Sequence, residues 1–382
     1  MRLGVVVRRI RRRSWLRCCW LKITQDTITL IRSAARRCLD RYDVIDETAA
    51  DGLRGRLTRS DYHVEGKPQI LWSSAQARAE LVAELFGDAM LIIEVCAPIA
   101  DTELAAHVEM LRIVAGQDIE IVDEDNEAGD PAGPRIRHGV AVERVISTVD
   151  TDARHGHRSR SDRYDGYKIL MTACPESDLI TAVVAMSATT HDSSILTVLL
   201  GADPVAVKEV IADTHYGSGP LRQNLADRGI EIVAPAAPAS APKGMFSKTD
   251  FTIDLAAATI VCPNEQTAII PVRPPGMRIQ VRFETRSCTA CPIKDRCTKR
   301  AGGRVVEISP HEELLAAARA ARWTPEFLDR YRERAKAERK IALIKARQKH
   351  IPWRGLIKAN SWAKLRVGAL NLDRIGRLGL LT

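Results

Sequence analysis

The sequence predicts a mixed α/β protein with a helical N-terminal part, a sheet-forming middle, a cysteine-containing segment and a basic helical tail. Three observations predict it. Long segments of helical periodicity come first, between residues 24 and 115. Short β-branched runs then alternate with helical patterns from 140 to 234. An Ala/Pro linker over 234–242 follows, then short strands and turns to about 307, then helical sequence to the end. With 382 residues, 45% hydrophobic and 27% charged, the chain is of globular rather than disordered composition and long enough to bury cores without staples.

The elements follow in order. Residues 1–20 hold seven arginines and no acid, and read as a poorly ordered terminus or a nucleic-acid arm. Residues 24–40 predict a helix. Residues 74–97 predict another, opened by Ser73 and Ser74, with Leu81, Val82, Leu85, Phe86, Ala89, Ile92 and Ile93 on its apolar side. Residues 101–115, opened by Asp101 or Thr102, predict a third. Asp118 to Asp130 carries seven carboxylates with Gly129, Pro131, Gly133 and Pro134 close behind, so 123–134 reads as a solvated loop. Val140–Val149, Gly166–Ala173 and Leu179–Ser187 predict three adjacent strands. A short helix at Ser193–Leu200, with Asp192 as N-cap, a strand at Val207–Ala212, a helix at Pro220–Arg228 and a buried strand at Ile230–Ala234 complete the middle. The domain plan is a basic arm over 1–21, a helical region over 22–135, a sheet core over 136–235, a linker and Cys-containing insertion over 236–325, and a helical basic tail over 326–382.

Charge narrows the function. Lys and Arg number 57 against 48 Asp and Glu, a net charge of +9, which favours a polyanion such as nucleic acid. The excess is concentrated in Asp329 to Lys358, with eleven basic and three acidic residues. No apolar run approaches the ~20 residues that span a bilayer, and the longest, Ala89 to Ala100, is broken by Glu94. Integral-membrane functions are excluded. Nine scattered cysteines without a signal peptide predict a reduced, cytoplasmic protein rather than a disulfide scaffold.

Two acids stand where chemistry could occur. Asp213 ends the apolar strand Val210-Ile211-Ala212, the edge at which α/β sheets bind ligands, where a carboxylate could hold a divalent metal. A turn or cap aspartate is the structural alternative. Tyr331, Arg334, Glu338 and Lys345 are spaced 3, 4 and 7 apart, which on a helix aligns a phenol, a guanidinium, a carboxylate and an ammonium on one face. A solvated face with an Arg–Glu pair is the structural reading. A metal-binding carboxylate flanked by phosphate-gripping cations is the functional one.

The spacing Tyr-x2-Arg-x3-Glu-x6-Lys resembles the signature around the last catalytic acid of the DDE transposases of bacterial insertion sequences, here Tyr331, Arg334, Glu338 and Lys345. Ala212 to Gly217 resembles the family's second-acid strand. Cys288-Thr289-Ala290-Cys291-Pro292, Cys297-Thr298, Arg354-Gly355 and Asn371-Leu372 resemble the tail of one branch. The resemblance spans roughly residues 22–378. It implies a ribonuclease-H-like mixed sheet with flanking helices and a Cys-containing insertion before the last catalytic helix. It also implies two Mg2+ (or Mn2+) ions held by three distant acids, and cleavage and joining of double-stranded DNA at transposon ends and target by a homodimer. Tyr331, Arg334 and Lys345 would contact the DNA.

For the first acid two readings stand. Asp150 follows the strand ending at Val149 and is the natural first carboxylate on strand order, with Asp152 beside it. The branch usually carries an Asp-Ser-Thr strand shortly before the helix that begins near Gln25-Asp26-Thr27, and Ser14 falls about where that aspartate is expected. On that reading the start resembles a truncated or frame-shifted one, and the chain is a decayed transposase. The cysteines add a second metal expectation. Cys288 and Cys291 have zinc-knuckle spacing, and with Cys297 and Cys262 would close a tetrahedral structural Zn2+ site, against an alternative of buried or redox-active thiols. Cys18, Cys19, Cys38, Cys96 and Cys174 lack ligand spacing. His155 and His157 with Arg154, Arg158 and Arg160 form a basic loop that could touch DNA or simply be solvated. The competing function is a non-catalytic nucleic-acid-binding protein built on the basic helix and a zinc knuckle.

Overall fold

The computed structural model describes residues 2–11, 26–122, 132–157, 162–202, 206–272, 274–346 and 351–380. The acidic stretch 123–131 and Arg158 and Arg160 of the basic loop lie outside them.

The N-terminal part is helical, as expected. Helices α1 (Thr27–Ile45), α2 (Glu47–Arg54), α3 (Ala75–Cys96) and α4 (Thr102–Asp118) share one core. Leu30, Ile31, Ala34 and Leu39 of α1 meet Leu81, Leu85, Ala89 and Ile92 of α3 and Leu104, Val108 and Leu111 of α4. Each helix starts on a side-chain cap. Asp26 accepts from the Thr29 N–H, Asp46 from Ala49, Ser74 from Ala77 and Asp101 from Leu104. Buried Asp88 pins the loop before α3 by accepting the Thr58 and Arg59 N–H groups and the Tyr62 hydroxyl.

Beyond α4 a ribbon pairs β2 (Ile119–Val122) with β3 (Gly133–Ile136). The strand expected over Val140–Val149 does not form. Its backbone is taken by the helical part: Gln117 both donates to the Val145 carbonyl and accepts its N–H at 2.9 Å. Ser33 and Thr148 bond at 2.7 Å, and Arg144 pairs with Asp118. With both backbone groups of Val145 bonded to Gln117 and the Val145 and Ile146 side chains buried, the middle of this segment packs on α4 instead of pairing in a ladder.

The sheet gains a strand from an unexpected place. Residues expected to be a disordered arm form β1 (Arg2–Arg11) at its centre. The strand β1 pairs antiparallel with β5 (Arg163–Cys174) and parallel with β7 (Glu209–Ile211). Across β5 lie β4 (Arg154–His157) and β6 (Leu179–Ser187), both antiparallel to it. Beyond β7 comes β8 (Glu231–Val233), parallel. The run Val5-Val6-Val7 is β-branched, the composition that favours an extended backbone.

Successive residues of β5 face opposite layers. Tyr167, Ile169, Met171 and Ala173 face α11 (Arg334–Ala346) and α12 (Leu356–Arg377), through Ala337, Ile341, Ile344, Trp362, Ala363 and Val367. Leu170 faces the other layer, α5 (Asp192–Ala202) and α6 (Gly219–Asp227), through Leu196, Leu199, Leu221 and Leu225. Asp192 serves that layer from the first turn of α5, where the buried Lys168 ammonium donates to it at 2.9 Å.

The outer edge of β6 is closed by two amides of α12. Asn360 accepts from Ala185 N–H at 2.7 Å and donates to its carbonyl at 2.9 Å. Asn371 does the same at Ile180, at 2.9 and 2.8 Å. Each primary amide replaces a neighbouring strand's peptide group, so the edge does not offer its ladder to another chain.

The insertion holds a three-stranded sheet of β9 (Thr252–Asp254), β10 (Thr259–Val261) and β11 (Thr267–Ile269), and a pair β12 (Ile279–Arg282) with β13 (Val305–Ile308). Between them sit α7 (Thr285–Thr289) and α8 (Lys294–Cys297). Two further helices, α9 (Glu312–Ala321) and α10 (Pro325–Arg332), lead to α11. Glu312, 3% exposed, ties the insertion to α9 by gathering Lys248, Arg319 at 3.0 Å and the Ser309 N–H at 3.1 Å. Burial pushes its carboxyl pKa up, but these partners outweigh it and hold the pKa below the ordinary glutamate value. A depressed folded pKa contributes stability above the unfolded pKa that is lost as pH falls through the folded one. Urea titrations of wild type should therefore show stability falling below about pH 4.3. The Glu312→Gln variant should be less stable at neutral pH by about 3 kcal/mol and show a shallower acid limb.

Candidate functional site

Asp213 lies one residue past Ala212, whose N–H bonds to Val233 O at 3.1 Å and prolongs the β7–β8 pairing. Its Oδ1 accepts the His215 N–H at 2.9 Å and opens a single 3-10 turn over Thr214–Tyr216, so the cap role considered from sequence is present. The loop behind it is locked. Buried Arg222 donates to Gly217 O at 3.1 Å and to Ala234 O. Gly217 packs so tightly that an added Cβ would stand 2.0 Å from Pro235 O. The Tyr216 hydroxyl is buried without a hydrogen-bond partner among the described residues, and burial with the nearby Asp192 and Asp213 charges pushes its pKa well up.

The expected single helical face of Tyr331, Arg334, Glu338 and Lys345 is divided. Tyr331 ends in α10, the chain turns at Glu333, and Arg334 and Glu338 belong to α11. Contacts bridge the break. Phe327 stacks on Tyr331 with centroids 5.4 Å apart, and the Arg334 guanidinium lies over the Tyr331 ring at 5.0 Å. Arg334 Nη1 then meets Glu338 Oε1 at 2.9 Å. The Lys345 side chain lies outside the described residues.

The two acids meet electrostatically at one phenol. Burial raises the Tyr331 pKa, Arg334 opposes this, and the charges of Asp213 and Glu338 both add to the rise. Asp213 acts on this phenol from the end of β7, and Glu338 from α11. Asp150 and Asp152 are used elsewhere. Asp150 is 2% exposed and its Oδ1 accepts the Tyr167 hydroxyl and, at 3.1 Å, the Gly355 N–H. Asp152 Oδ2 accepts the Leu356 N–H at 2.8 Å. Both therefore serve the free N–H groups at the start of α12. Among the described residues no group of three or more His, Cys, Asp or Glu is arranged to hold a metal ion.

Five of the eleven basic residues in 329–358 have ion-pair partners among the described residues, Arg332 with Asp329 at 3.8 Å being one. Arg330 clamps Glu209 and Glu231 at the starts of β7 and β8, Arg334 holds Glu338, Lys336 pairs with Glu333, and Lys340 meets Asp178 at 2.6 Å. Arg222, Gly217, Arg330 and Asn360 were not legible as site-building residues. A buried arginine bonded to carbonyls has no sequence pattern, because its partners are backbone atoms.

Residues 261–376 match the family model described as a transposase DDE domain. Over that stretch the chain is similar to the DDE domain of transposases. The transposase match opens at the last residue of β10 and runs almost to the end of α12, so it includes Glu338 and all four of Cys262, Cys288, Cys291 and Cys297, and excludes Asp150 and Asp213. No curated protein and no solved structure matches the chain. No described helix is long and apolar enough to cross a membrane.

Proposed function

We propose that the chain acts on double-stranded DNA in transposition, with Asp213 and Glu338 as two metal-binding carboxylates of a ribonuclease-H-like strand-transfer centre. The observation that carries this reading is the match to a transposase DDE domain, within which Arg334 holds Glu338 and lies over the Tyr331 ring. The sheet order supports it: antiparallel β6, β5 and β1 continue into parallel β7 and β8, with helices on both faces.

The donors suit magnesium or manganese. Asp213 Oδ2 and Glu338 Oε2 have no hydrogen bond among the described residues, and they are hard oxygens of the kind such ions take. When bound, the ions would stabilise the attacking and leaving oxygens of an in-line displacement at phosphorus. Arg334 fixes the direction of Glu338 by holding its other oxygen. Tyr331, Arg334 and Lys345 are assigned to the DNA backbone, with a homodimer on DNA as the working assembly.

A second reading, DNA binding without efficient cleavage, is favoured by the first-acid position. Asp150 is committed to Tyr167 and α12, and β1, the strand beside β7, contains no Asp or Glu. One set of measurements separates the readings. Duplex affinity should fall steeply with salt, and Lys345→Ala should flatten the log–log slope by about one unit. Glu338→Gln removes a negative charge, so binding should hold or tighten while Mg2+- or Mn2+-dependent cleavage disappears. Wild type that binds and does not cut selects the second reading. A chain with no salt-dependent DNA affinity overturns both.

A further inference from the structure

The insertion has a cavity that the DNA reading does not use. Its volume is about 80 Å3, several times what one water needs. Cys262, Cys288, Cys291 and Cys297 all line it, although they come from three separate segments. Cys262 follows β10 in the turn to β11, Cys288 and Cys291 belong to α7 and the turn after it, and Cys297 ends α8.

The backbone is arranged around the sulfurs. The Gln266 N–H points at Cys262 Sγ at 3.4 Å, within a turn closed by Cys262 N–H to Gln266 O at 2.9 Å. Gly303, at φ +86°, brings its backbone so near Cys288 that a Cβ would stand 3.5 Å from the sulfur and 2.8 Å from Phe283 O. Arg304 donates to Cys297 O at 2.9 Å and steadies the loop between α8 and β13. Burial raises the Cys297 thiol pKa, and charges on Cys288, Cys262 and Cys291 would raise it further, which reflects how near the four lie.

The segment also needs a staple. Its core has eight buried residues, Phe251, Ile260, Ile270, Val281, Phe283, Cys297, Val306 and Ile308, and Cys297 is one of them. Its strands are three or four residues long. A unit of this size with so small a core ordinarily relies on disulfides or a metal. All four cysteines are free thiols. All four line the cavity, and among the described residues no group of three or more ligating side chains is already gathered around a metal position.

We propose that Cys262, Cys288, Cys291 and Cys297 bind one structural Zn2+ ion that closes this cavity and fixes α7 and α8 on the β10–β11 hairpin. Zinc is the ion chosen by four thiolates in a tetrahedral, redox-silent site. This site is separate from the Asp213–Glu338 centre, so its fate does not decide that reading.

The test uses the full chain purified under reducing conditions without chelator. Elemental analysis should find about one zinc per chain. A mercurial should release it as the thiols react, and Cys288→Ser should lose most of it, while Cys174→Ser and Cys96→Ser keep it. If Cys288→Ser fails to fold, cobalt titration of the metal-stripped wild type decides: a thiolate-to-cobalt charge-transfer band with tetrahedral d–d absorption is expected. Wild type without zinc, whose cobalt spectrum shows no thiolate ligation, overturns the proposal. So does recovery of Cys288 and Cys291 as a stable disulfide that excludes metal.

Discussion

Gly217→Ala should destabilise the fold by at least about 3 kcal/mol and misplace Asp213. The added methyl would lie 2.0 Å from the Pro235 carbonyl oxygen and 3.2 Å from Ala236 Cα, so backbone has to move. No rotamer change relieves a clash with main chain. Relief requires the loop 213–217 to separate from the chain leaving β8, against the Arg222 bonds to Gly217 O and Ala234 O. Urea unfolding followed by circular dichroism measures the loss. Unchanged stability would show that the packing behind Asp213 is looser than described.

Asp150→Ala should cost about 3 kcal/mol, because a buried carboxylate that accepts the Tyr167 hydroxyl disappears. Gly355 keeps the Tyr167 oxygen as acceptor at 2.9 Å, so the orphaned group is the phenol proton. Tyr167→Phe combined with Asp150→Ala should not recover the loss, since the Gly355 N–H donates to both groups and is then left without either acceptor. The same variant addresses the first acid. A carboxylate acting as a helix-start acceptor gives lower stability with DNA affinity retained. A carboxylate acting as a metal ligand gives unchanged or higher stability and loss of cleavage. Unfolding curves and a Mg2+ cleavage assay on one preparation distinguish the two.

These effects show how the molecule divides between local and tertiary control. The helices α1, α3 and α4 follow from apolar spacing and from Asp26, Ser74 and Asp101 at their starts, all local signals. The strands β5 and β6 follow from β-branched runs. Val140–Val149 has the same local signal and is not a strand: Gln117 takes both backbone groups of Val145, and Ser33 anchors the Thr148 hydroxyl. Residues 2–11 show the reverse: arginines suggested an exposed arm, but the valine run enters the centre of the sheet.

The sequence by itself determined the helical beginning, the α/β middle, the basic tail and the two candidate acids, because hydrophobic period, caps and motif spacing are properties of neighbouring residues. Only the tertiary structure decided what those acids and cysteines stand beside. The β7–β8 pairing sets Asp213 at a strand end, and the α10–α11 corner sets Arg334 between the Tyr331 ring and Glu338. Packing of α12 on β5 and β6 makes Asp150 the acceptor for its first turn. Folding of the insertion places four cysteines from three segments around one cavity. The last two are contacts between residues far apart in the chain, set by which surfaces bury together and therefore absent from any local pattern.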